Sequence, residues 1–361
     1  MNPLTGKERI ARIIQRRSVD RIGLYEHFWG DTNKRWIAQG HLQPGELVED
    51  HFNFDLCECW AARHMADPDF KNEVIEETDE TILERDGNGA LLRRHKLHNA
   101  TPEHVGFMVT DRTMWEAKIK PMLTPTRNRI NFDAYRDARR RAEANGRFFV
   151  HSGVNVFESM HPVCGHENLL IGMALDPDWV RDMVDTYAQL TIELMEILFA
   201  EAGRPDGVWF YEDMGFKGRP FMSPEMYREL ILPGHRRTID YVHSLGLPVI
   251  MHSCGFVEPL LPGIVEAGVD CLQVIEVKAG MDLLRIKRDF GDRLALCGGI
   301  DVRNLVANDL AAVDRELAEK IPEVMRGSGY ILHSDHSIPE QCEYATYRHF
   351  VDRALELGVY R

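Results

Sequence analysis

The sequence has no CxxC pair, no GxGxxG after a strand pattern, no phosphate-binding P-loop and no apolar run near the ~18 residues that cross a bilayer. Each absence removes a class. Without the glycine fingerprints, a doubly wound sheet that binds dinucleotides or nucleoside triphosphates is disfavoured. Without paired CxxC motifs there is no zinc ribbon, so any metal site must be assembled from distant segments. Positive charge is also scarce: 43 Lys and Arg stand against 57 Asp and Glu, a formal net charge of −14. That argues against nucleic acid or an anionic membrane as partner and leaves a docked protein open. The seven cysteines, Cys57, Cys59, Cys164, Cys254, Cys271, Cys297 and Cys342, are odd in number and scattered, which disfavours a disulfide framework. No secretory signal pattern precedes the first helix pattern, and the expected location is the reducing cytoplasm.

What is present is a regular alternation. From about residue 200 onward, "AEAGRPDGVWFYED", "HSLGLPVIMHSC", "VEAGVDCLQVIE", "KRDFGDRLALCGGID" and "MRGSGYILHSD" each carry a glycine turn, a short β-rich run and then polar residues. Helical patterns such as "SPEMYRELILPGHRRTIDYVHS" and "DLAAVDRELAEKIPEVM" lie between them. Strands alternating with helices imply βαβ units and a parallel sheet, here an α/β fold of the (β/α)8 TIM-barrel type. "RFFVHSGVNVFES" (147–159) and "RIGLYEHFW" (21–29) supply two more strands, and the eighth is expected near "HVGFMVTD" (104–111). Residues 79–96 alternate around Asp86-Gly87-Asn88-Gly89, a strong hairpin turn, and are expected as an inserted β-hairpin over the barrel mouth. The whole of 1–361 is expected to form a single barrel domain with an N-terminal extension.

In a parallel barrel the chemistry collects at the C-terminal strand ends. Those ends hold His27 and Asp31, His151 and Glu158, Glu212 and Asp213, His252 and Cys254, Glu276, Cys297 and Asp301, and His333 to His336. Asp213 and Asp301 also suit helix N-caps. His252 and Cys254 are two apart on a strand, so their side chains face one way, and an imidazole beside a thiolate is half of a zinc site. His336, in the loop after the last strand, is the leading third ligand, with Glu276 and Cys297 as competitors. Glu212, Asp213 and Glu276 are expected to line the cleft and to orient substrate or take a proton. Two other groups are discounted. Cys57-Glu58-Cys59 lacks partners nearby and is read as structural. Cys164 and His166 in "HPVCGHEN" are read as a loop with a buried cysteine.

The stretch from His252 to Asp301, with "GVWFYEDMGFKGRPFMSPEMYREL" and "GYILHSDHSIP", resembles the uroporphyrinogen decarboxylase superfamily. The resemblance covers roughly residues 145–357 well and the first 140 loosely. It implies a single (β/α)8 barrel and one of two chemistries: cofactor-free decarboxylation of a tetrapyrrole, or zinc-dependent methyl transfer between a corrinoid protein and a thiol. The decarboxylase branch carries an Arg-rich segment of the form RQAGR after the first strand. Here "LYEHFWGDTNKRW" offers Glu26, His27 and Asp31 first, which suits a polycarboxylate poorly. The methyltransferase branch carries His-x-Cys at the fifth strand end, matched by His252-Ser253-Cys254, and takes a third ligand, a Cys, from a loop resembling GCGIP. Here that loop reads Asp335-His336-Ser337-Ile338-Pro339, so His stands where the branch has Cys.

The resemblance therefore implies a corrinoid-linked methyltransferase with His252, Cys254 and His336 on zinc, a separate corrinoid (cobalamin) carrier protein as partner, a small methyl donor or acceptor, and a homodimer. The competing readings are a metal-independent decarboxylase or lyase acting on a small substrate, and a non-catalytic barrel that binds a corrinoid or its carrier.

Overall fold

A computed structural model describes residues 3–98 and 101–360. Eight parallel strands form one sheet: β1 (Gly23–Leu24), β2 (Leu56–Trp60), β3 (Phe148–Val154), β4 (Gly207–Tyr211), β5 (Val249–Ser253), β6 (Cys271–Val274), β7 (Ala295–Gly298) and β8 (Tyr330–Leu332). Their order is β1-β8-β7-β6-β5-β4-β3-β2. Among the described residues no ladder joins β1 to β2; the seam is closed by Asp55 instead. Its N–H donates to the Leu24 carbonyl at 2.9 Å, and its carboxylate accepts from the Leu24 N–H at 2.9 Å. This is a (β/α)8 barrel, as the alternation of patterns implies.

The strands after residue 140 fall where the glycine-punctuated runs place them. The eighth does not. Residues 103–106 belong to an antiparallel sheet outside the barrel, and the remaining barrel strand is "LCECW" at 56–60. The physical reason is its composition. Cys57 and Cys59 pack outward beside the helix Phe132–Ala144, where burial pushes their thiols up to about 12 and about 11. Glu58 turns inward, so the strand shows no continuous apolar run to the eye.

The inserted hairpin is present and larger than expected. Thr81–Arg85 and Leu91–His95 pair around a turn in which Asp86 Oδ1 accepts from the N–H groups of Asn88 and Ala90, each at 2.9 Å, and Gly89 takes φ 76°. Glu73–Glu77 and Glu103–Gly106 add a strand on either side, giving a four-stranded sheet between β2 and the helix Phe132–Ala144.

The outer helices start where the sequence places oxygen-bearing caps. Thr5 and Glu8 form a reciprocal capping box, and Asn131, Asp176, Asp282 and Asp309 each accept from a first-turn N–H. No helix is long and apolar enough to cross a membrane among the described residues.

Candidate active site

Parallel register brings the inward residues of successive strands side by side. Tyr211 pairs with His252, His252 with Gln273, and Gln273 with Cys297. The result is a barrel interior lined by polar and aromatic side chains rather than by a layered aliphatic core.

His252 and Cys254 meet at the top of this interior, with Sγ 3.3 Å from Nε2. Asp213, at the exit of β4, completes the group: Oδ1 lies 3.2 Å from His252 Nε2 and accepts the Cys254 N–H at 2.8 Å. The ligand atoms of Asp213, His252 and Cys254 all lie within 4.8 Å of one another. His252 Nδ1 meets the Gln273 side-chain carbonyl, which leaves Nε2 facing Cys254 and Asp213. A ligating imidazole is commonly oriented through its other nitrogen in this way. Imidazole, thiol and carboxylate are all zinc donors, so the group fits zinc.

The charges of the trio are interlocked. Burial works against a positive His252, yet the Cys254 sulfur and the Asp213 carboxylate beside it hold its proton on well above the usual imidazole range. Burial would raise Asp213, and the neighbouring His252 outweighs it and brings the carboxyl down to about 2. Burial raises the Cys254 thiol, partly offset by His252.

The other expected residues are distributed around this point. Glu276 is buried, accepts the Gly255 N–H at 2.6 Å and so fixes the turn behind Cys254, with Lys278 Nζ 3.4 Å away. His336 lies outside the trio. Its ring stacks on Trp29 with centroids 6.2 Å apart, and the third side chain grouped with His252 and Cys254 is Asp213. The chain exit after β8 turns His336 toward the rim because Asp335, wholly buried, is tied by its carboxylate to the Val302 and Lys278 N–H groups at 2.8 and 3.3 Å. Burial moves that carboxyl up to about 6. Cys297 is buried inside the barrel. Glu212 is wholly buried and faces away from the cleft. It accepts the N–H groups of Phe157 and Glu158 at 3.0 and 2.6 Å and meets His235 Nε2 at 2.6 Å, so it caps the helix Val156–Leu175. Asp301 is an N-cap, accepting the Arg303 N–H at 2.9 Å. His151 packs outward near Tyr135 and Phe199. Asp31 bonds Lys34 at 2.9 Å.

Gln273, Tyr211 and Ser152, which no sequence motif singles out, complete the interior together with His27, Glu58 and His333. Gln273 reaches from His252 to His333, with Nε2 3.3 Å from His333 Nε2. His333 lies 2.9 Å from His27 Nδ1, and His27 Nε2 lies 3.1 Å from Glu58 Oε1. Tyr211 donates to Glu58 Oε2 at 3.1 Å, and Ser152 does so at 2.8 Å. Burial would raise Glu58, but His27 and these hydroxyls bring it down to about 2. The string runs from the trio down to the second strand. The one signal for Glu58 in the sequence is a carboxylate alternating with two cysteines on a strand.

A cavity of about 510 Å³ opens beside Cys254, lined by Phe216, Glu276, Lys217, Lys278 and Arg303 among others. Glu26, read as a group that would repel a polycarboxylate, is buried and bonded to the Ser334 and His27 N–H groups, so it does not face the cleft.

The uroporphyrinogen decarboxylase (URO-D) family matches residues 132–357. The chain belongs to this family. Among relatives of this URO-D protein, a methylated-thiol–coenzyme M methyltransferase from Methanosarcina mazei is 26% identical over 146 residues, 40% of this chain and 37% of that protein. A uroporphyrinogen decarboxylase from Streptomyces coelicolor is 28% identical over 177 residues, 49% of this chain and 47% of that protein. The matched segments thus span less than half the length of these curated relatives. A solved methyltransferase from Methanosarcina mazei superposes with a TM-score of 0.67 over 98% of this chain and 99% of that one, at 15% identity, a likeness of fold.

Proposed function

We propose that this URO-D family protein moves a methyl group between a separate corrinoid-bearing protein and a small thiol acceptor, at a zinc centre held by His252, Cys254 and Asp213. The observation that carries this reading is the convergence of an imidazole, a thiol and a carboxylate within 4.8 Å at the barrel mouth, beside an open cavity. The similarity to a methylated-thiol–coenzyme M methyltransferase supports the reaction class. Zinc held there would supply Lewis acidity that keeps a thiol acceptor in its nucleophilic thiolate form.

The chain's own residues do the rest. Gln273 fixes the face that His252 presents. Asp213 ties the Cys254 backbone in place and accepts the His252 proton interaction. Glu276 holds the Gly255 turn. Lys217, Lys278 and Arg303 on the cavity wall suit an acceptor with an anionic tail. His336, on the Trp29 side of the rim, contacts the incoming substrate rather than the metal. The string His333–His27–Glu58–Tyr211 holds the interior polar groups in one arrangement and offers a path for a proton away from the trio.

Two measurements test the reading. Purified protein is expected to demethylate methylcobalamin with a small anionic thiol, and zinc removal is expected to abolish this. No zinc binding on titration, or equal rates in the metal-free protein, overturns it. Anaerobic incubation with uroporphyrinogen is expected to give no coproporphyrinogen.

A further inference from the structure

A second cluster of metal-ligating side chains lies outside the trio. His104 comes from the strand Glu103–Gly106 of the inserted sheet, and His161 and His166 come from the helical segment Val156–Leu175. Their ligand atoms all lie within 4.8 Å of one another. In a straight helix, residues five apart point about 140° away from each other, so His161 and His166 would not meet. A kink brings them together. Pro162 removes a helix donor, and Gly165 takes φ 76° and ψ 157°. The rings then stack at 4.3 Å between centroids, inclined by 19°. The same glycine lets Phe107 of the insertion dock: a Cβ at Gly165 would sit 2.4 Å from the Phe107 ring.

Packing alone does not account for this arrangement. His161 is 8% exposed, and neither of its ring nitrogens has a hydrogen-bond partner among the described residues. Leaving a buried polar atom unpaired costs more than an aromatic contact returns. Nε2 lies 3.0 Å from Glu158 Oε2, and a carboxylate beside the ring is a common companion of a ligating imidazole.

We propose that His104, His161 and His166 form a second metal site, for a divalent ion of the zinc type, which fastens the inserted sheet to the barrel rim. Tetrahedral zinc–nitrogen bonds of about 2.0–2.1 Å set donors about 3.3 Å apart, so donors now within 4.8 Å need to close in by up to about 1.5 Å. Three imidazoles leave a fourth position for water. The placement ties the metal to the cleft. Phe70, Asn72 and Asn88 of the insertion and Glu158, Ser159 and Pro162 of the helix line a shared cavity of about 470 Å³. Glu158 Oε2 also accepts the Asp213 N–H at 3.2 Å, so one carboxylate touches both clusters.

The test uses the full chain and Zn²⁺ or Co²⁺ alone as probes. Wild-type protein is expected to bind about two zinc ions per chain, and both Cys254→Ala and the double variant His104→Ala/His166→Ala about one. The triple variant is expected to bind none. Cobalt in Cys254→Ala should give ligand-field bands without thiolate charge transfer. Zinc should slow proteolysis of the 73–106 segment in Cys254→Ala and not in the triple variant. His104 and His166 are not core residues, so circular dichroism is expected to match wild type. A Cys254→Ala protein that binds no zinc, or a His104→Ala/His166→Ala change that leaves stoichiometry and affinity untouched, overturns the second site. Neither outcome bears on the Asp213–His252–Cys254 centre, whose own failure would appear as zinc retained in full by Cys254→Ala.

Discussion

At the N-terminal end of the strands, the Asp55 carboxylate is 2% exposed and accepts from Arg9 at 2.6 Å, from both Arg21 Nη atoms at 2.7 and 3.0 Å and from the Leu24 N–H. Arg9 also forks onto Asp20 at 2.8 Å through two nitrogens. At the C-terminal end, burial leaves carboxylates with conflicting states. Glu26 and Glu158 are raised, with burial the largest cause, and Asp335 is raised to about 6, while Asp213 and Glu58 fall to about 2 beside imidazoles. One end is a closed network in which every charge is answered. The other keeps groups whose ionisation depends on their neighbours, which is where proton and metal chemistry are expected. The contrast follows from the barrel: loops at the top diverge and carry function, and the bottom only has to close.

The comparison is tested most severely at Asp55. Asp55→Ala leaves two arginines unanswered and opens the β1–β2 seam. It is expected to cost about 3–5 kcal/mol in urea unfolding, with zinc stoichiometry unchanged in the folded fraction. Cys254→Ala is expected to do the reverse: zinc affinity at that centre falls by roughly 100-fold or more, and unfolding shifts by less than about 1 kcal/mol. Equal stability losses in the two variants would break the contrast. Zinc at the trio must displace a proton from His252 and another from the Cys254 thiol. Its affinity is therefore expected to rise with pH, by up to about a hundredfold per unit near neutrality, whereas His104 and His166, both lowered by burial, add no such dependence at the other cluster. Calorimetric titrations across pH 6–8 distinguish the two. Asp301→Ala removes a half-buried cap and is expected to cost about 1 kcal/mol with no change in metal binding.

The smallest expected effect is in acid. Burial would raise Asp20, but Arg9 and the Leu4 and Arg21 N–H groups hold it well below its ordinary 3.8. A depressed carboxyl stabilises the fold above its unfolded value and loses that contribution as pH falls through the folded one. Asp335 has the opposite sign: its contribution is full below 3.8 and is lost as pH rises through about 6. Asp20→Asn should thus flatten the acid limb of stability below about pH 4, measured by unfolding midpoints, and leave the pH 4–6 region as it is.

The legible part of the fold was the part with repeated local chemistry. Glycine turn, β-rich run and polar exit recur five times after residue 200, and each run is a barrel strand. Asp86-Gly87-Asn88-Gly89 marked its hairpin because the turn residues need no distant partner. "LCECW" was missed because two cysteines and a glutamate carry no strand signature until one face meets helices and the other meets His27. At the site, the spacing of His252 and Cys254 sufficed to put them on one side of a strand, and their atoms meet at 3.3 Å. Which third side chain lies beside the pair was beyond spacing. Asp213 and His336 both leave strand ends toward the same mouth, and only the packing of Asp335 against Val302 and Lys278 turns the second away.

The sequence by itself determined the alternation, the sign of the charge, the likeness to URO-D proteins and the His252–Cys254 pair, because all are properties of composition or of neighbours within a few residues. Tertiary structure alone decided that Glu212 caps a helix, that Glu58 joins a polar string with His27 and Tyr211, and that His104 meets His161 and His166. Those groups lie between 5 and 184 positions from the partners that define them. Direction at that separation is set by barrel closure and by one kinked helix, which no local pattern of residues encodes.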